Sequence, residues 1–304
     1  MPRLGIIGGG IALAVLGLLL GAQALGLLDG ARRPASAPAD TRVVPGQAAP
    51  APDQPRPDLA HLPEAELDVE LAKPKSGFGG GSAFPVGPTG VVMTAAHVVQ
   101  GCKTVFLSDR KLFSYRSVRV RSLDWATDLA LLEADEPLEP LPMLATTPGQ
   151  GTSGFHVGFP NGNPGVSTSS LLAWSSMEKG RRVEGTIRRE PVLIWAERGR
   201  DPKEFEPLGG ASGAPTLSAD GQVIGVTLGA SPRRGRIMAA TPESVAALLA
   251  REGLPPPTDV SPATAEKIAS QGKGLREERR VLKVICDRKE ALPIGQTRRL
   301  RQKG

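Results

Sequence analysis

From Phe78 to Ala240 the apolar residues fall in short runs broken by Gly, Pro and Asn, with no long stretch at helical spacing. Runs of that length and punctuation predict β-strands, and strands without intervening helices predict an all-β barrel or sandwich rather than a parallel α/β sheet. The candidates are Gly90–Thr94, Thr104–Leu107, Ser117–Val120, Leu129–Leu132, Phe155–Gly158, Val192–Ala196, Val223–Leu228 and Arg236–Ala240. A helix is predicted only after them. Thr241 is its cap, Pro242 takes the first turn, Glu243 suits the dipole, Ser244–Ala250 is the body, and Gly253 allows a left-handed exit. Pro255, Pro256 and Pro257 then stop regular structure, and Val281–Cys286 reads as one strand in an otherwise irregular tail.

The ends differ from this middle. Leu4 to Leu28 carries no charge, and Gln23 is its one clearly polar side chain. As a helix it would be about 37 Å long, against a hydrocarbon core of ~30 Å. With Arg3 ahead of it and Ala22-Gln23-Ala24 near its end, it is expected to be either a membrane anchor or a removed signal peptide. Either places the rest of the chain at the periplasmic or extracellular face. Four segments are therefore expected: 1–30 as signal or anchor, 31–66 as a Pro/Ala-rich linker, 67–253 as the folded domain, and 254–304 as a basic tail.

Charge sharpens that division. The net charge of +6 resides wholly in the tail, which from Leu254 onward holds 12 Lys/Arg against six Asp/Glu. A basic appendage on a neutral body suits contact with anionic surfaces, and no specific nucleic acid is implied. Two cysteines, Cys102 and Cys286, exclude a disulfide-dense scaffold and a four-cysteine zinc site, leaving one bridge or two thiols. No metal and no organic cofactor is implied.

Candidate chemistry lies in three places. His97 follows an apolar strand and the small residues Thr94-Ala95-Ala96, Asp128 opens the strand Leu129–Leu132, and Ser212 sits in the turn Gly210-Ala211-Ser212-Gly213. A serine hydroxyl is too weak an acid to attack a peptide bond unaided. An imidazole of pKa near ~6.5 can take its proton and return it to the leaving amine, and a carboxylate fixes the imidazole's tautomer. Glycines beside Ser212 let the N–H groups of Gly210 and Ser212 converge on one oxyanion. His61 falls in the linker, and His156 falls in a strand as a packed or surface residue, with lining of a cleft as the alternative.

The order His, Asp, Ser, with Gly80-Gly81-Ser82-Ala83-Phe84, Gly90–Val99, Thr127–Leu132 and Gly210–Pro215, resembles the trypsin-like serine peptidases of chymotrypsin fold, in their short-loop bacterial HtrA/Deg branch. Val157–Gly162 is similar to a turn of that family's second barrel. The resemblance covers roughly residues 75–250. It implies two six-stranded antiparallel β-barrels, with His97, Asp128 and Ser212 in the cleft between them, and protein or peptide substrates. It also implies Glu206 at the base of a primary pocket, competing with a surface charge, and a Thr227 hydroxyl directed to Asp128. Thr227, Leu228 and Gly229 would offer backbone pairing to an extended substrate. The stretch after the prolines is too short and too polar for a typical PDZ module. The competing expectations are a barrel that binds peptides without cleaving them, and a DNA- or envelope-binding protein that uses the tail.

Overall fold

The computed structural model describes residues 59, 62–63, 78–87, 89–108, 114–179, 188–203, 209–231 and 234–288. The apolar N-terminal segment, most of the linker, His61, Glu206 and the basic run from Arg298 to Lys303 lie outside the described residues. Among the described residues no helix is long and apolar enough to cross a membrane.

In chain order the first strands are β1 (Phe78–Pro85), β2 (Val91–Ala95), β3 (Thr104–Ser108), β4 (Tyr115–Asp124) and β5 (Leu129–Glu133). They are followed by β6 (Ser153–Gly158), β7 (Gly165–Lys179), β8 (Arg188–Asp201), β9 (Pro215–Leu217), β10 (Val223–Ser231) and β11 (Arg236–Ala240). The last strand, β12, is Leu282–Asp287. They close into two barrels, β1-β12-β3-β4-β5-β2 and β10-β11-β8-β7-β6-β9. Each expected strand is present, with ends shifted or extended. β1, β7 and β9 were not among them, because the first is glycine-rich, the second carries serine where apolar alternation would mark a strand, and the third is only three residues long.

The tail differs from its expectation most. β12 does not trail from the domain: it lies between β1 and β3, pairing Ser82 with Lys283 and Gly79 with Cys286 on one side, and Val284 with Leu107 and Cys286 with Val105 on the other. Leu282, Val284 and Cys286 point into the core and are buried, the period-two pattern of a strand with one face inward. Cys286 is disulfide-bonded to Cys102, their Cα atoms 5.2 Å apart, which resolves the bridge-or-thiol alternative. Ahead of β12, α3 (Ala265–Glu277) is two helical turns broken at Ala269–Gly272. Gly272 has φ +68°, and a Cβ there would run into the Val157 side chain, so α3 packs on β6 only with glycine at this position. The buried Arg280 guanidinium then donates to the carbonyls of Pro140 (2.7 Å) and Ser261.

Two shorter helices complete the frame. α1 (Ala96–Val99) is one turn after β2, and α2 (Pro242–Arg251) follows β11. Thr241 Oγ1 accepts from Ser244 N at 3.1 Å, Pro242 occupies the first turn, and Gly253 exits at φ +69°, as the sequence predicted. Val245, Leu248 and Leu249 bury its apolar face, and Arg251 reaches back to Asp124 of β4 at 2.7 Å. Linker residues Leu59 and Leu62 are buried against a cluster that includes Leu171, Trp195 and Ile224 of the second barrel. The expected spacer therefore ends in contact with the body, and Trp174 N donates to Pro63 O at 3.1 Å.

Candidate functional site

The strand β2 and the turn after β4 bring two of the expected residues together. Asp124 Oδ1 accepts from the N–H groups of Ala126 (3.0 Å) and Thr127 (3.4 Å), folding the turn that delivers Asp128. Burial opposes the Asp124 charge, but hydrogen bonds from Arg251 and Thr127 outweigh it and hold its carboxyl below the usual range. Asp128 itself takes φ +52°, a left-handed conformation that Asp and Asn tolerate best among side-chain-bearing residues. Its buried carboxylate binds His97 twice. Oδ1 accepts the His97 backbone N–H at 2.9 Å, and Oδ2 stands 2.7 Å from the ring Nδ1. The ring is thus fixed, with its other nitrogen toward the partly exposed side.

Ser212 comes from the opposite barrel. Its turn is locked to β1 and β10: Ser82 N donates to Ser212 O (2.8 Å), Gly213 N to Thr227 O (2.7 Å), and Ala214 N to Ala211 O (2.9 Å). Gly213 has φ +85°, and a Cβ on it would strike the Ser82 carbonyl and stand 2.9 Å from Ala95 N, two residues before His97. No other residue type fits so close an approach. The Ser212 hydroxyl donates to Leu228 O at 3.1 Å rather than to His97.

Gly210, with φ +95°, is held by residues whose local motifs suggested no role for them. Ser82 Oγ donates to Gly210 O at 2.8 Å and accepts from Phe159 N at 2.9 Å. Asn161 N donates to Gly209 O at 2.5 Å. Because the 209–210 peptide is trans, anchoring that carbonyl directs the Gly210 N–H the opposite way. Among the described residues neither the Gly210 nor the Ser212 N–H has a backbone acceptor. Ser82 and Asn161 both lie in motifs that sequence reading singled out, but only the fold shows what they hold.

Thr227 is corrected. Its hydroxyl is not directed to Asp128 as expected: it bonds His156 Nδ1 at 2.8 Å, inside the second barrel. His156 Nε2 meets Ser169 Oγ at 2.8 Å, Thr216 Oγ1 stands 3.1 Å from Nδ1, and Trp195 packs edge-on with ring centroids 5.7 Å apart. His156 is therefore a packed histidine, not a cleft residue. Burial pushes its pKa down to about 3 from 6.5. Below pH 6.5 the unfolded chain takes up a proton that the folded chain refuses until about pH 3. Stability is then expected to fall by about 1.4 kcal/mol per pH unit through that window. Denaturant midpoints measured from pH 7 to 4 should show this slope, and His156→Gln should flatten it. Equal slopes in both proteins would show that His156 is not the proton acceptor.

Leu228 is the unpaired residue of a bulge between Thr227 and Gly229 in the β10–β11 pairing, and its carbonyl faces Ser212. Glu206 lies outside the described residues. Among the described residues no cluster of three or more His, Cys, Asp and Glu is placed to hold a metal ion.

Residues 81–226 match the trypsin-like peptidase domain family, and the two closed six-stranded barrels have the chymotrypsin-like fold. Over 152 residues the chain is 29% identical to HhoA of Synechocystis sp., a protein assigned to the serine proteases. That match covers 49% of this chain and 36% of HhoA, so the chain spans about a third of the length of that curated relative. The active form of the Rv3671c protease from M. tuberculosis is similar in fold, with a TM-score of 0.50 at 22% identity over 72% of this chain and 100% of that one. A mutant, inactive form of the same protease gives 0.47 at 25% identity, over 57% of this chain and 81% of its own.

Proposed function

We propose that this chain is an exported serine endopeptidase whose nucleophile, base and orienting carboxylate are Ser212, His97 and Asp128. The observation that carries the reading is the double hold of Asp128 on His97, through the backbone N–H at 2.9 Å and the ring Nδ1 at 2.7 Å. It leaves Nε2 unprotonated and able to accept a proton.

In the reaction the acyl side of a substrate runs along β10, and its N–H takes the Leu228 carbonyl that the Ser212 hydroxyl occupies in the free protein. The displaced hydroxyl turns to His97 Nε2. Oγ then attacks the scissile carbonyl carbon while its proton passes to Nε2, and the carbonyl oxygen becomes an oxyanion at the N–H groups of Gly210 and Ser212. Losing one such donor typically costs ~3–4 kcal/mol in barrier. Collapse breaks the C–N bond, His97 protonates the leaving amine, and an ester to Ser212 remains. Water attacks that ester as His97 takes its proton, the C–Oγ bond breaks to release the acid product, and His97 returns the proton to Oγ. The Cys102–Cys286 bridge supports export, since such bonds persist in oxidising compartments, as does the apolar run Leu4–Leu28.

The test is fluorophosphonate labelling of the full chain, with the modified residue located by peptide mass spectrometry. A single adduct on Ser212 is expected. A folded chain that takes no label is instead the peptide-binding barrel, with Ser212 inert.

A further inference from the structure

The C-terminal strand carries a cation to the face of the first barrel that meets the second, beside the Phe159–Gly162 turn. Along β12, Leu282, Val284 and Cys286 face the core, so Lys283 faces outward from the first barrel. Its antiparallel partner is Ser82, and directly opposed residues share a face. That face looks at the second barrel, because Ser82 Oγ is bonded there to Gly210 O and Phe159 N. The Lys283 ammonium confirms the placement: a Cβ built on Gly162 would stand 3.2 Å from Nζ. Gly162 belongs to the turn that contacts the oxyanion loop through Asn161 N and Phe159 O.

Among the described residues this cation has no counterion: no carboxylate there lies within ion-pair distance of Lys283, whereas Lys267, Lys273, Arg279 and Arg251 each have one. Half-burial without a partner is costly for an ammonium, and burial alone holds its pKa below the usual lysine value. An apolar residue would serve a packing role at lower cost, so a lysine here suits an anion that arrives from outside.

The side of the site follows from what flanks Ser212. One flank is β10, where the acyl half of a substrate is placed in the reading above. The other is β1 with the Phe159–Gly162 turn, where Lys283 lies. We propose that Lys283 is a specificity residue for the leaving-group half of the substrate, pairing with a carboxylate on an Asp or Glu just after the cleaved bond. The assignment rests on the proposed peptidase reading for its meaning, but its test does not require turnover.

The experiment uses the full chain carrying Ser212→Ala, immobilised, to select peptides from an acetylated library made by digesting a whole proteome. The same selection is run with Lys283→Gln and Lys283→Arg added. Acidic residues should be enriched about fivefold over their amides on the lysine protein, a ratio fitting a partly exposed ion pair. The enrichment should fall to about one with Lys283→Gln and return with Lys283→Arg. Raising salt should erase it in parallel. No acidic enrichment, or the same enrichment with glutamine, overturns the assignment. Failure of the peptidase reading shows separately, as absence of fluorophosphonate adduct on the unsubstituted chain.

Discussion

Asp128→Asn is expected to lower kcat by about 10⁴-fold while leaving the fold and its melting temperature nearly unchanged. The backbone argument comes first. Asp128 sits at φ +52°, where most side chains are strained, but Asn enters that region as readily as Asp. The substitution therefore isolates chemistry from folding. The two carboxylate oxygens also have different duties. Oδ1 accepts the His97 backbone N–H, and the amide oxygen of Asn can take over that bond. The amide nitrogen must then occupy the Oδ2 position, 2.7 Å from the ring Nδ1. Since –NH₂ only donates, Nδ1 must accept, and the ring proton moves to Nε2. A ring protonated at Nε2 cannot take the Ser212 proton. Steady-state kinetics on a cleaved peptide, with a thermal melt of the same preparation, checks both halves. A variant that keeps a tenth or more of wild-type kcat would show that Asp128 does not set the tautomer.

The sequence carried this part of the site well, because each element has a local signature. Small residues before His97, an aspartate opening an apolar strand and glycines around Ser212 are visible within a few residues. So is the α2 cap, where Thr241 and Pro242 act on the nearest turn. What escaped reading depends on residues far apart in sequence. Ser82 meets Gly210 across 128 positions, and His156 meets Thr227 across 71. Thr227 was expected to serve Asp128 because a family pattern places a hydroxyl in that strand. The deciding fact, a buried histidine with its own need for partners, is a property of the closed barrel. β7 escaped for another reason. Ser167, Ser169 and Ser175 are buried at positions where apolar residues would have announced a strand. Ser169 is there to satisfy His156, so a polar interior erased the usual signal.

Ending the chain after Arg280 is expected to abolish the cooperative melting of the domain, although it removes only residues read from sequence as a tail. β12 is the strand between β1 and β3, so its loss exposes the facing hydrogen-bonding edges of both and opens the first barrel. Leu282, Val284 and Cys286 are each 1% exposed or less. Burying a large aliphatic side chain contributes about 1.5–3 kcal/mol. Removing all three, with Val281, forfeits a sum comparable to the ~5–15 kcal/mol that holds a typical domain together. The bridge to Cys102 is lost as well, and a native disulfide contributes about 2–4 kcal/mol. Cys286→Ser separates the two effects. It removes the bond but keeps the strand, so that variant should melt cooperatively at a lower temperature, while the truncated chain shows no transition and is degraded by trace protease. The consequence reaches the site, because β12 backs β1 at Ser82, which holds the Gly210 carbonyl. A truncated chain that still melts cooperatively and still takes a fluorophosphonate adduct at Ser212 would mean that β1 and β3 close the barrel without it.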